Sequence, residues 1–316
     1  MFTSKRSRGL SIKVATGLFS GLLGLLSTSA ALADEIFVRN SIISTIGEYT
    51  TSGATVNASL ISVPSFRFGG SCCGLAVSGS DLLVGDNVNQ TIREYTTSGA
   101  LVNASLISGL GSIGALAVSG SDLFVAHSGT IGEYTTSGAT VNASLISVPG
   151  GIDAFAVSGS DLFVEQLGTI AEYTTSGTLV NASLISGLGA VTHLLAVSGS
   201  DLFVVSGQNI GEYTTSGATV NRSLISGFLS AGIFDIGGFA VDGANLFVTD
   251  YPGSRIAEYT TSGALVNASL ISGLALPTDI AIAPTAVSEP RTLILLGTIL
   301  LALGTVKTKG AQVRAG

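Results

Sequence analysis

Charged side chains are scarce in this sequence, and lysine is missing from its long central part. Asp, Glu, Lys and Arg make up 10% of the 316 residues, and every lysine lies outside residues 14–306. Between Asp34 and Pro290 there are 20 acidic residues and 5 arginines. So acidic a stretch repels phosphate backbones, which argues against a nucleic-acid partner, whereas cations and neutral glycans fit this charge.

Tryptophan is absent, methionine occurs once, and the two cysteines, Cys72 and Cys73, are adjacent. In an oxidising compartment this pair has three possible states: a strained vicinal disulfide, a disulfide between chains, or free thiols. A hydrophobic fraction of 46% argues against disorder, because it is far above that of unfolded segments. The 42 glycines, the many Ser, Thr and β-branched residues, and the lack of a helix-length periodic segment between 34 and 285 predict short strands joined by tight turns.

Residues 1–33 have the pattern of a secretory signal peptide. Basic residues precede an apolar stretch at 14–26, and Ala-Leu-Ala at 31–33 supplies a cleavage site. The apolar stretch is shorter than the roughly 20 residues that a membrane-spanning helix needs. We therefore predict an exported protein from which residues 1–33 are removed; an uncleaved anchor is the alternative.

Residues 286–316 combine a short motif, an apolar helix predicted over 292–306, and a basic end. An apolar helix with a basic flank is typical of a stop-transfer segment whose positive end stays in the cytoplasm. The alternative is an apolar helix that packs on the domain, which leaves the basic end without a purpose.

This tail resembles the PEP-CTERM sorting signal of Gram-negative bacteria that make extracellular polysaccharide. Glu289 and Pro290 match its Pro-Glu-Pro motif, and Ser288 replaces the first proline. The resemblance implies a partner, the membrane-embedded processing enzyme exosortase. It also implies export across the inner membrane, followed by membrane tethering or transfer to the cell surface or extracellular matrix.

Two phrases repeat along the central part of the chain. Glu-Tyr-Thr-Thr-Ser-Gly occurs six times, with tyrosines at Tyr49, Tyr95, Tyr134, Tyr173, Tyr213 and Tyr259. Ala-Val-Ser-Gly-Ser-Asp-Leu-Phe-Val or a close variant occurs at 76–84, 117–125, 156–164, 196–204 and 240–248. The pattern therefore predicts four strands in each unit, and in one unit these are 116–119, 122–126, 130–135 and 140–147. Repeats of about 40 residues with four strands each are typical of propeller blades.

The ends of the repeat array predict how the ring closes. Residues 34–38 match the second strand of a unit, and residues 279–283 match the first strand and then stop. We predict that the two ends share one blade, so that residues 34–285 form a closed, all-β, six-bladed β-propeller of four-stranded blades without an open edge at the splice. An open solenoid is the alternative, and it would end on whole capped units.

The unit at 238–256 and the segment Pro277–Ala281 resemble NHL-type repeats. The resemblance spans roughly residues 34–285 and implies a six-bladed propeller. Members of that family mostly bind partners, and related six-bladed scaffolds include enzymes, so the fold leaves the function open.

Positions that differ between repeats are the candidates for a site. One set lies three residues before the alanine of strand one: Cys73, Gly114, Asp153, His193, Gly237 and Thr278. If strand one lines the channel, these residues surround one mouth of it, and we predict a ligand pocket built by Asp153, His193, Cys73 and Thr278. No metal site, cofactor or catalytic residue is predicted, because a metal needs three or more ligands and no nucleophile motif is present.

A second set lies two residues after the closing valine of strand two: Asn40, Asp86, His127, Gln166, Ser206 and Asp250. All six are polar, and we interpret them as hairpin caps that bond to the backbone. Six Asn-x-Ser sequences begin at Asn57, Asn103, Asn142, Asn181, Asn221 and Asn267, and we interpret them as repeat residues of the outer strand.

Together these features predict an exported, surface- or envelope-associated propeller that binds a glycan or protein partner, or serves a structural role, without catalysis. The alternative is a channel-mouth hydrolase of lactonase type, an enzyme class that holds a divalent cation in the channel.

Overall fold

The computed structural model describes residues 34–62, 74–189, 194–207, 209–227 and 236–283. These residues form 24 β-strands arranged as six four-stranded antiparallel sheets, which are the six predicted blades. Residues 1–33 and 286–316 lie outside the described residues, and with them the predicted signal peptide, the helix at 292–306, Glu289 and Pro290. In the part that is described, no helix is long and apolar enough to cross a membrane.

Each blade runs from an innermost to an outermost strand. The innermost strands are β4 (Leu75–Ser78), β8 (Ile113–Ser119), β12 (Ala154–Ser158), β16 (Leu194–Ser198), β20 (Ile236–Asp242) and β24 (Pro277–Ala283). The second strands are β1 (Glu35–Asn40), β5 (Asp81–Asp86), β9 (Asp122–His127), β13 (Asp161–Gln166), β17 (Asp201–Ser206) and β21 (Asn245–Asp250).

The third strands are β2 (Thr45–Thr50), β6 (Thr91–Thr96), β10 (Thr130–Thr135), β14 (Thr169–Thr174), β18 (Asn209–Thr214) and β22 (Arg255–Thr260). The outermost strands are β3 (Thr55–Ser62), β7 (Leu101–Ser108), β11 (Thr140–Ser147), β15 (Leu179–Ser186), β19 (Thr219–Ile225) and β23 (Leu265–Ser272). Blade one consists of β24, β1, β2 and β3, and blades two to six follow in chain order.

The predicted splice of the chain ends is confirmed. β24 pairs antiparallel with β1, and Glu35 lies opposite Ala283 while Ile36 lies opposite Ile282. The innermost strands contact one another all the way around, from β4 through β8, β12, β16 and β20 to β24 and back to β4. The ring is therefore closed, and the ladder at the splice leaves no edge there.

The core lies between adjacent blades. The second strands supply its largest side chains: Phe37, Phe124, Phe163, Phe203 and Phe247 are at most 1% exposed. Strand two is buried on both faces: in blade one Phe37 packs towards blade two, whereas Ile36 and Val38 pack towards blade six. Burial of six such apolar layers is the main stabilising contribution to the ring.

The Thr-Thr-Ser-Gly turns connect strands three and four of each blade, and at the outside of the ring each turn packs against the preceding blade. In blade one Thr50 Oγ1 accepts the N–H of Ala54 at 3.0 Å, and the N–H of Gly53 donates to the Thr50 carbonyl at 2.8 Å. Gly53 has a φ of 89°, which favours glycine, and its turn rests on Leu270 of the preceding blade. These turns and the turns between strands one and two share one face of the ring, which we call the Gly-turn face; the opposite one is the crossover face.

Candidate functional site

Four of the six predicted mouth positions are described, and they differ in use. Gly114 accepts the N–H of Gly74 of the neighbouring blade at 2.7 Å. A Cβ at Gly74 would lie 2.5 Å from the Leu116 N atom, so glycine here permits direct backbone contact between blades. Thr278 is partly buried on β24. His193 and Cys73 lie outside the described residues, so the pocket that they complete stays a prediction.

Asp153 is exposed, and it binds the turn of its own blade. Its Oδ2 accepts the backbone N–H of Leu167 at 3.1 Å. Its own N–H donates to the backbone carbonyl of Glu165 at 3.1 Å. Asp153 therefore holds the turn between β13 and β14 at the crossover face. It directly precedes the innermost strand β12, as the sequence analysis placed it.

Glu165 is the ionisable group of this region that the sequence reasoning missed. Its side chain is fully buried, and Oε1 accepts the N–H of Gly168 at 2.7 Å. Burial raises the pKa of Glu165 to about 8; the Gly168 N–H lowers it, and the neighbouring carboxyl of Asp153 raises it further. The carboxyl is thus mostly protonated at neutral pH. One signal could have identified it: the equivalent residues are Arg39, Gly85, Ala126, Val205 and Thr249, none of them acidic.

Arg39 and Asp279 are two further ionisable residues, and they lie next to each other where the chain ends meet. They lie opposite each other on β1 and β24, and Arg39 is only 3% exposed. Arg39 Nη2 donates to the Gly85 carbonyl of blade two at 3.4 Å. Burial raises the pKa of Asp279 to about 7, while the charge of Arg39 and the N–H groups of Ile280 and Leu75 lower it. The pair connects the splice to blade two.

The six polar residues at the ends of the second strands are caps. In four blades they bind the segment that enters the blade. His127 Nδ1 donates to the Leu110 carbonyl at 3.0 Å, and Asn40 Oδ1 accepts the N–H of Ala275 at 3.1 Å. Gln166 donates to the Pro149 carbonyl, and Ser206 to the Leu188 carbonyl.

In the other two blades the cap is an ion pair. Asp86 binds Arg93, and Asp250 binds Arg255, each at 2.8 Å. Burial by itself raises the pKa of Asp86, but hydrogen bonds from Asn89 and Arg93 together with the arginine charge outweigh it and lower the pKa. All six positions therefore have a structural use.

The outer rim consists of the outermost strands, and every blade repeats its exposed residues. The first five residues of each of these strands are exposed, and the valines in them are 54–56% exposed. The strands are nearly identical in sequence, and only β19 has a charged residue, Arg222. The rim thus presents Val, Asn, Ser and Thr or Leu in the same order six times.

The Asn-x-Ser sequences have a structural role in this rim. Asn57 Oδ1 accepts the N–H of Ser59 at 3.1 Å, and the five equivalent asparagines do the same. The pairing of strands three and four also shifts register at this point in each blade. A side chain that accepts an N–H of the outermost strand and a β-bulge in that strand both hinder backbone pairing of this edge with a strand of another molecule. This structural role explains why one asparagine recurs in six blades, and glycosylation is not needed to explain it.

The Gly-turn face is acidic. Each Glu of the Glu-Tyr phrase has a raised pKa, chiefly through burial. In four blades an Asp at the start of strand two raises it further, and the pairs are Asp81–Glu94, Asp122–Glu133, Asp161–Glu172 and Asp201–Glu212. In blade one Glu35 has this effect on Glu48. Within the described ranges no three His, Cys, Asp or Glu side chains are grouped as a metal site.

A small cavity in blade four lies beside the residue that precedes the Glu-Tyr phrase. Where strand three has Gly47, Gly132 or Gly211, the tyrosine two residues on is at most 4% exposed. A Cβ at Gly132 would lie 2.7 Å from Tyr134 Cε2. Blade four has Ala171 instead, Tyr173 is only partly buried, and a cavity of about 50 Å³ is lined by both. This volume holds little more than water.

The sequence matches no protein-family model and no curated protein. Solved structures are similar in fold. A chain of the nidogen/laminin complex aligns with a TM-score of 0.62 and 14% identity over 79% of this chain and 98% of that one. A protein of unknown function from Bacteroides caccae aligns with a TM-score of 0.54 and 14% identity over 79% of this chain and 98% of that one. Virginiamycin B lyase from Staphylococcus aureus aligns with a TM-score of 0.50 and 16% identity over 66% of this chain and 73% of that one. At these identities the likeness shows the fold alone.

Proposed function

We propose that the chain is an exported, tail-anchored propeller that acts as a non-catalytic binding or structural module at the cell surface or in the extracellular matrix. One observation carries the proposal: the exposed rim repeats nearly the same five residues in six blades, with Thr or Leu first and with Arg222 in place of alanine in blade five. The asparagines have the structural role described above, but packing does not require the exposed valines to be identical. Six similar surfaces on one ring favour multivalent binding, in which weak contacts add up to high avidity.

The chemistry of the rim indicates the partner class. Hydroxyl and amide groups alternate with half-exposed valines, and only blade five has a charge there. Such a surface fits a neutral glycan or an uncharged polypeptide segment. The acidic Gly-turn face disfavours polyanions.

A glycan array probed with the purified chain tests the binding proposal. We expect binding to repeating, neutral polysaccharides that exceeds binding to their single repeat units, because only a polymer reaches several blades. Equal binding of monomer and polymer contradicts a multivalent rim.

The enzyme alternative is favoured by a different observation, the buried carboxyl of Glu165 beside Asp153. A strongly raised pKa near a channel mouth is typical of catalytic acids, although structural pairs show it as well. Lactonase-type hydrolysis requires a bound divalent cation. Metal analysis of the purified chain separates the two proposals: one tightly held Ca²⁺ or Zn²⁺ per chain supports the enzyme, and a metal-free chain that binds glycan supports the binding module.

A further inference from the structure

Arg222 differs from the other arginines that the structure describes. Arg93 and Arg255 pair with aspartates at 2.8 Å, and buried Arg39 lies opposite Asp279. Arg222 is exposed, and within the described ranges it forms no ion pair with a carboxylate; its charge acts on Tyr213, where it partly opposes the rise in pKa that burial causes. A cation that no carboxylate of its own chain neutralises is therefore displayed on an acidic protein.

The position of Arg222 shows that packing does not require it. It lies on β19, the outermost strand of blade five, between Asn221 and Ser223. The other blades have alanine at this position: Ala58, Ala104, Ala143, Ala182 and Ala268. The blade fold thus accepts alanine five times, and the single arginine marks one side of the ring.

The complementary charges lie on the Gly-turn face. The Asp–Glu pairs there, such as Asp81 and Glu94, are partly exposed; burial is the main cause of the raised glutamate pKa, and repulsion from the aspartate raises it further. A cation from outside would relieve this repulsion. Two Gly-turn faces repel each other, so the rim with Arg222 is the surface of one copy that is attracted to the acidic face of another.

We propose that the chain assembles with further copies of itself, and that the blade-five rim around Val220 and Arg222 of one copy docks on an acidic pair of the Gly-turn face of the next. Val220 is 54% exposed and supplies apolar area next to the charge. The two surfaces differ, so the contact is heterologous and leaves both free surfaces available for further copies. The result is an open assembly, as expected of a matrix component. This inference rests on the proposed function, because it uses the exposed rim as an interaction surface.

Sedimentation velocity of the full-length chain in detergent tests the proposal, with Arg222→Ala and Arg222→Glu as variants. Arg222→Ala gives blade five the residue that five other blades already have, so its fold is expected to be intact. At low salt we expect the wild type to form larger species as its concentration rises. We expect Arg222→Ala to weaken this association about five- to tenfold and Arg222→Glu to weaken it more. About 0.5 M salt should dissociate the wild type.

Three outcomes overturn the proposal: a monomeric wild type, equal association of wild type and Arg222→Ala, or association that strengthens with salt. Association driven by the apolar tail would be equal in all variants and is covered by the second outcome. The glycan array separates this proposal from the proposed function. Five rims are unchanged in Arg222→Ala, so that variant should still bind polymeric glycans even if self-association proves wrong.

Discussion

Gly53 of blade one lies against Leu270 of blade six, and this contact closes the outside of the ring. A Cβ on Gly53 would lie 2.5 Å from the Leu270 carbonyl oxygen. The same relationship holds between every other pair of neighbouring blades: Gly99 with Leu60, Gly138 with Leu106, Gly177 with Leu145, Gly217 with Leu184, and Gly263 with Leu224. The junction between the two ends of the chain is therefore built like the five junctions within it.

Gly53→Ala tests whether the closing junction contributes as much to the free energy of unfolding as the other junctions do. We expect this substitution and Gly99→Ala to lower the free energy of unfolding by a similar amount, about 2–4 kcal/mol, from backbone strain plus the clash. Gly79→Ala is the matched control, because Gly79 also has a positive φ, of 59°, but has no atom within 4 Å of a Cβ. It should lower stability by only about 1 kcal/mol. Denaturant unfolding measures all three, and a harmless Gly53→Ala beside a damaging Gly99→Ala contradicts the closed ring.

Gly132→Ala tests how the tyrosine phrase packs. The added methyl group displaces the Tyr134 ring, so we expect a loss of about 1–3 kcal/mol in the free energy of unfolding. The reverse exchange in blade four, Ala171→Gly, should change stability by less than about 1 kcal/mol, because the strand weakens while Tyr173 gains burial. Equal effects of the two exchanges in denaturant unfolding would show that this position does not control the tyrosine.

The two buried carboxyls predict the pH dependence of stability. The folded-state pKa is raised to about 8 for Glu165 and to about 7 for Asp279, above their ordinary values of 4.5 and 3.8. The folded state therefore binds these protons more tightly than the unfolded state. Stability from both groups is fully present below pH 4 and is lost as the pH rises towards 8. Asp86 acts in the opposite sense, since its lowered pKa stabilises the fold above pH 4 and this contribution is lost on acidification.

We therefore expect a higher thermal midpoint at pH 5.5 than at pH 8.5. Glu165→Gln should raise the free energy of unfolding at pH 8.5 by at least about 1 kcal/mol and flatten the pH profile. Asp122→Asn is the control for loss of a negative charge, because blade six already has Asn245 at that position; it removes the repulsion on Glu133 but should leave the loss of stability from Glu165 at high pH in place. A profile that Glu165→Gln leaves unchanged contradicts the buried, protonated carboxyl.

The strand order and the splice could be predicted from the sequence because the repeat fixes both. The phrase at 117–125 gives the turn between β8 and β9, and the partial units at 34–38 and 279–283 give the shared blade. The start of β8 could not be predicted. This strand begins at Ile113, ahead of the repeated alanine, since Ile113 pairs with His127 across a register shift. Such an extension depends on a partner outside the repeat phrase.

The candidate site was harder to predict, for a physical reason. Variation between repeats identifies positions that are free from the blade pattern, but not where their side chains point. Asp153 varies because it holds a turn, and Gly114 because blades meet there through the backbone. Glu165 lies at a strand position that is not acidic in the other blades, and its pairing with Asp153 depends on the distance between neighbouring strands.

The tail predicts where the protein is found. Truncation after Pro290 removes the apolar segment and the basic end, so we expect the protein to move from the membrane fraction to the soluble exported fraction. Replacement of Lys307 and Lys309 by Gln is a milder variant that keeps the apolar segment and should leave most of the protein in the membrane fraction. Identical fractionation of the truncated and full-length chains contradicts the sorting-tail proposal.

A graded series of rim variants tests whether the repeated rim is the binding surface. The series changes valine to glutamate at the second position of the outermost strand in one, three or all six blades: Val56, Val102, Val141, Val180, Val220 and Val266. Each valine is more than half exposed, so circular dichroism and thermal unfolding should show an intact fold. Binding to the polymeric glycans that the wild type retains on the array should fall step by step with the number of altered blades, while Asp153→Ala at the channel mouth leaves it unchanged. Undiminished binding by the six-blade variant, or loss of binding in Asp153→Ala, contradicts glycan binding at the rim.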